Sequence, residues 1–145
     1  MLSVWSFTIA AIIAGIGILI NFKNLMRKII QRIEQDDFDL QGVQKDQSRY
    51  FLFVALIEVI PILLIVLGFV TMEDSRLTFG GKLIPIMIII GILIFAIAQI
   101  WSVNQEVPKE KVSDTEKNWI RTTAFIGFAT IYAIPFLSII GIIII

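Results

Sequence analysis

The chain has 145 residues, 57% of them hydrophobic, and 12 Lys and Arg balance 12 Asp and Glu; its mean hydropathy is +0.89. Cysteine and histidine are absent, which excludes disulfides, zinc sites of Cys or His type and imidazole chemistry. With no net charge the sequence offers nucleic acid no electrostatic footing, and no nucleic-acid partner is expected.

Four apolar runs follow one another, at about 4–22, 51–71, 83–103 and 124–145. Each approaches the ~20 residues that cross a ~30 Å hydrocarbon core as a helix. The pattern predicts an all-α membrane protein with four transmembrane helices. No Lys or Arg precedes the first run and no small-x-small cleavage site follows it, so it is expected to stay as a helix.

That helix should continue past the membrane. In "NFKNLMRKIIQRIEQ" the apolar residues Phe22, Leu25, Met26, Ile29, Ile30 and Ile33 recur at helical spacing, with charges on the opposite face. "DDFDLQG", residues 36–42, breaks the pattern and predicts the turn. Asp36, Asp37 and Asp39 there have the chemistry for a divalent cation, but acidic turns at a helix end are ordinarily solvated. No metal site is expected.

The second run holds the only charged residue in any of the four, Glu58. A charged carboxylate in mid-membrane costs roughly 2.5–3.5 kcal/mol on insertion scales. Desolvation therefore favours the neutral, protonated carboxyl. A group neutral at rest that ionises when water reaches it can carry protons; a purely structural hydrogen-bond donor is the other reading. Pro61 lies three residues on and removes a backbone hydrogen bond near the acid.

In the third run Gln99 could line a polar interface, but its place beside Trp101 favours the headgroup level. Trp5, Trp101, Trp119 and Tyr50 fit interfacial anchors. Pro108 and the pair Ser113–Asp114 predict the turn before the fourth run. Basic residues concentrate in two loops: Lys23, Arg27, Lys28, Arg32, Lys45 and Arg49 within 21–50, and Lys109, Lys111, Lys117 and Arg121 within 104–121. The loop at 72–82 has only Arg76 and Lys82. The positive-inside rule then puts loops 21–50 and 104–121 in the cytoplasm and both termini outside. With no targeting segment, the expected location is a bacterial inner membrane.

The two halves align at an offset of 74 residues without a gap, so that "IGILI" at 16–20 falls on "IGILI" at 90–94. Ala55 falls on Ala129, Pro61 on Pro135, and Glu58 on Tyr132. Isoleucine-rich composition inflates such matches, but the Gly17/Gly91 and Pro61/Pro135 coincidences do not depend on it. The expectation is a tandem, parallel repeat of two helical hairpins, 1–73 carrying Glu58 and 74–145 carrying Tyr132 in its place.

The first unit, "AGIGILINFKNLMRKI…YFLFVALIEVIPILLIVLGFV", resembles the proteolipid (c) subunit of rotary F- and V-type ATP synthases. That family has an "AGIG"-like patch in its first helix and an "F-x-x-x-A-L-x-E-A-x-P-I" pattern around an ion-binding carboxylate in its second. Phe51, Ala55, Leu56, Glu58, Pro61 and Ile62 match that pattern. The resemblance implies a homo-oligomeric ring, Glu58 as the proton-binding residue, and Ala55, Pro61, Gly15 and Gly17 as its supporting site. Tyr132 and Pro135 would be a degenerate second site that keeps its structural place without binding an ion. Stator and central-stalk subunits would be the further partners. Sodium-binding members supply a Gln after the glycine patch and a Ser or Thr after the Glu; here Ile18 and Val59 stand there, which implies H⁺. No cofactor and no catalysis by this chain alone are expected.

The loops are longer and more acidic than the family's short polar loop, and Ile and Leu replace most of the glycine ladder. Two other readings stay open. One is a ring-like oligomer with a scaffold role uncoupled from any ATP synthase. The other is a small proton-coupled transporter, against which the parallel repeat weighs.

Overall fold

A computed structural model of the chain describes residues 1–72 and 78–145. The described residues form four α-helices: α1 (Leu2–Glu34), α2 (Leu40–Val70), α3 (Phe79–Gln105) and α4 (Asp114–Ile144). All four are long and apolar enough to cross a membrane, which makes the chain an integral membrane protein. The boundary expected between residues 73 and 74, and Arg76 of the sparsely charged loop, lie outside the described residues.

The helices begin and end on local chemistry. At the end of α1, Asp36 takes the left-handed conformation, with φ 52°. Its amide donates to the Ile33 carbonyl at 3.2 Å, and the Asp37 amide donates to the Arg32 carbonyl at 2.9 Å. This is a Schellman ending in which Asp stands where glycine is usual. Asp39 then caps α2, its carboxylate accepting from the amides of Gln41 and Gly42 at 3.2 and 3.3 Å. The acidic turn thus has a structural task in stopping one helix and starting the next. At α4, Ser113 and Glu116 form a reciprocal capping box.

The amphipathic extension of α1 is present as expected: Phe22, Leu25, Met26, Ile29, Ile30 and Ile33 are all buried. Arg32 on its last turn pairs with Asp46 of α2 at 2.9 Å. Gly42 makes room for that guanidinium, since a Cβ there would stand 2.8 Å from Arg32 Cζ.

The bundle is a rhombus in cross-section. α1 packs on all three other helices, α4 packs chiefly on α1 and α3, and α2 and α3 stand at the far corners with no substantial contact between them. Within its most apolar stretch α1 is 61% buried, α4 39%, and α2 and α3 17% each. Two phenylalanines of α1 lock the short diagonal. Phe7, fully buried, lies against Gly68 of α2 and Gly141 of α4, and Phe22 lies against Gly127 of α4. Lipid tails are as apolar as Leu, so such close packing of rings into glycine notches, rather than transfer out of water, holds membrane helices together.

Candidate functional site

Glu58 lies one to two turns from Val54, Pro61 and Ile65, three residues of α2 that are buried. At 100° per residue it falls at the margin of that inward face. Its side chain is correspondingly half-buried, while Val59 and Ile62 beside it are exposed. Seven residues separate it from the start of the apolar run at Phe51, a depth of about 10 Å from the end nearer the α1–α2 turn. Among the described residues no hydrogen bond or ion pair reaches its carboxyl. No basic residue lies within any of the four apolar runs to neutralise it.

The residues grouped with Glu58 by sequence separate in space. Gly17 faces α2 next to the acid: a Cβ there would stand 3.0 Å from Ile57 Cγ2. Gly15 faces the other way, where its Cβ would stand 2.7 Å from Ile92 Cγ2 of α3 and 3.9 Å from Pro135 Cγ of α4. Gly15 therefore belongs to the junction of α1, α3 and α4. Pro61 and Pro135 are buried and Ala55 is exposed.

Tyr132, at the position matching Glu58, is placed differently. Its hydroxyl donates to the Leu93 carbonyl of α3 at 2.9 Å, and its ring stacks on Phe128 with centroids 4.1 Å apart. The second position is closed by a hydrogen bond inside its own hairpin; the first is open.

Polar links that the sequence did not disclose tie the loop-side ends of the helices. Tyr50, expected as an interfacial anchor, is instead buried, with its hydroxyl 2.6 Å from Thr130 Oγ1 of α4. Asn21 Nδ2 donates to the Tyr50 carbonyl at 3.2 Å, and Gln47 Nε2 donates to Thr123 Oγ1 at 3.2 Å. Gln99 lines the interface of α1 and α3, where Lys23 Nζ donates to its Oε1 at 2.8 Å, a bond compatible with the headgroup level expected of it. The anchor reading fits Trp5 and Trp101, which are exposed. The described residues contain no cluster of carboxylates arranged to hold a metal ion.

No family model, curated protein or solved structure matches this chain.

Proposed function

We propose that the chain is a proton-carrying membrane subunit in which Glu58 is the proton-binding carboxylate. The observation that carries the reading is the contrast between the two matching positions. Tyr132 spends its hydroxyl on a neighbouring carbonyl, whereas Glu58 sits half-exposed at the edge of its helix without a partner among the described residues. A residue serving only to bind helices together would be expected to make such a bond. An acid left open at the bundle's rim is available to water or to a group on a neighbouring molecule.

The finer reading is a homo-oligomeric, proteolipid-like ring built from the two hairpins. An Arg-bearing stator and a central stalk would be partners, with the polar segments 21–50 and 104–121, largely the ends of helices, in the cytoplasm. Its support is the residue pattern around Glu58 and the open corners of the rhombus, where α2 and α3 leave broad apolar faces. A scaffold role is the second reading, and the deep burial of α1 favours it, since the bundle is already closed around that helix.

Labelling by dicyclohexylcarbodiimide tests the first reading, because the reagent attacks protonated carboxyls in apolar surroundings. One label per chain, falling as pH rises and abolished by Glu58→Gln, on a large closed oligomer is the expected result. An absence of labelling at every pH would remove proton carriage and leave the scaffold.

A further inference from the structure

We infer that the cleft between α1 and α2 at their loop-side ends is a seat for an anionic phospholipid, with the headgroup phosphate held by Arg27, Lys28 and Arg49. The cleft encloses about 320 Å³. Asn21 and Tyr50, which line it, stand where the apolar runs of α1 and α2 end. It therefore opens at the level of lipid headgroups.

Its charge is uncompensated. The one carboxylate lining the cleft, Asp46, is held by Arg32 at 2.9 Å. Arg27, Lys28 and Arg49 have no ion-pair partner among the described residues. Asp37 of the acidic turn lines a neighbouring depression with Lys28 without forming an ion pair with it, and Glu34, two turns beyond Arg27, lies about 10 Å farther along the helix axis. Three cations converging on one cleft repel one another unless an anion joins them. Guanidinium groups bind phosphate oxygens in pairs, and Asn24 and Gln31 add neutral donors on the same side of α1.

The rest of the groove says why the anion should carry acyl chains. The side of α1 left uncovered by the other helices shows Ile16 and Ile20 in the apolar run. It continues at helical spacing into Asn24, Arg27 and Gln31, all exposed. Phe53 of α2, also exposed, borders the cleft on its membrane side. The surface thus changes from apolar to cationic along a single stripe, which complements a molecule with a chain at one end and a phosphate at the other. Basic pockets between membrane helices select anionic headgroups by this arrangement. Free phosphate would use only the upper half of it. The inference stands apart from the role of Glu58.

The test is native mass spectrometry of the purified protein titrated with phosphatidylglycerol or with phosphatidylcholine of the same acyl chains. The unaltered protein should retain phosphatidylglycerol roughly tenfold better or more, as two to three surface cations imply. The double variant Arg27→Gln/Arg49→Gln should lose that preference while keeping its helical circular dichroism. Lys45→Gln/Lys111→Gln, with the same loss of charge outside the cleft, should keep it. Equal retention of the two lipids by the unaltered protein overturns the inference, as does an equal loss in both double variants, which would mean diffuse attraction to basic loops. Displacement of phosphatidylglycerol by millimolar inorganic phosphate would make the cleft a phosphate site and not a lipid seat.

Discussion

Replacing Gly141 by alanine would set a methyl carbon 2.7 Å from both Cε1 and Cζ of Phe7. Carbon atoms pack at about 3.5–4.0 Å, so the ring would have to retreat by nearly an ångström. It has nowhere to go. Phe7 is fully buried, the same tip of its ring also lies against Gly68, where a Cβ would stand 2.9 Å from Cζ, and Phe69 packs edge-on with centroids 5.1 Å apart. Overpacking of this kind destabilises by roughly 1–3 kcal/mol, offset in part by the ~0.5–1 kcal/mol that alanine gains over glycine within a helix. The expected net loss is about 1 kcal/mol or somewhat more. It is read as a lower midpoint when the protein, in micelles, is unfolded with dodecyl sulfate and followed by helical circular dichroism. Gly91→Ala is the control, because nothing lies within 4 Å of its Cβ position. Phe7→Leu added to Gly141→Ala should restore part of the loss, a coupling expected only of residues in contact. Equal midpoints for Gly141→Ala and Gly91→Ala, or no rescue by the smaller side chain, would refute the notch as the source of stability.

The same unfolding assay checks three further expectations. Tyr132→Phe keeps the stack on Phe128 but loses the bond to the Leu93 carbonyl, and should destabilise by about 0.6 kcal/mol and by no more than about 1.7. Ser138 is buried, and its hydroxyl has no hydrogen-bond partner among the described residues. Ser138→Ala should therefore be neutral or stabilising by up to about 1 kcal/mol, and a clear loss would show that the hydroxyl is bonded after all. A double-mutant cycle on Arg32 and Asp46, a pair 26% and 11% exposed, should give a coupling of about 1 kcal/mol that shrinks as salt is raised. A coupling near zero at low salt would contradict the 2.9 Å geometry.

Much of the fold was legible because its signals are local. The stripe from Phe22 to Ile33 marks the buried face of α1 beyond the membrane, and the acidic stretch and Ser113–Asp114 mark the turns before α2 and α4, although the capping roles of Asp39 and Ser113 came only with the structure. The order of burial was not legible, for a reason particular to membranes. The most apolar helices, α2 and α3, are the outermost, and α1, with its small residues Ala10, Ala11, Ala14 and Gly15, is the centre. Hydropathy reports contact with lipid or protein alike, whereas small side chains report close approach of another helix. Tyr50 was misread because its position before Phe51 looks like a headgroup anchor, while Thr130, which its hydroxyl meets, lies 80 positions away. The partner of Gln99 was not legible either, since Lys23 reaches it from a different helix. At the candidate site, Glu58 stands out by charge alone. That Gly15 and Gly17 serve different interfaces follows only from the rotation of α1 within the bundle.

The glycines at the two matching positions lead to one more experiment. Gly17 is explained within the chain, since Ile57 of α2 would meet any Cβ at 3.0 Å. Gly91 is not, because its face of α3 is open and nothing lies within 4 Å. Glycine in a helix interior is disfavoured by about 0.5–1 kcal/mol against alanine, so an unexplained one on an apolar face is where another helix could approach closely. If the chain assembles through the open side of α3, Gly91→Leu should leave the bundle's own unfolding midpoint unchanged but reduce the oligomer's mass in mild detergent. Gly17→Leu should do the reverse, lowering the midpoint by wedging α1 from α2. Should Gly91→Leu leave both midpoint and mass unaltered, the open face of α3 contacts lipid, and a ring closed through that face is excluded. The scaffold or proton-carrying role would then rest on an assembly made through α2, whose exposed side borders Glu58.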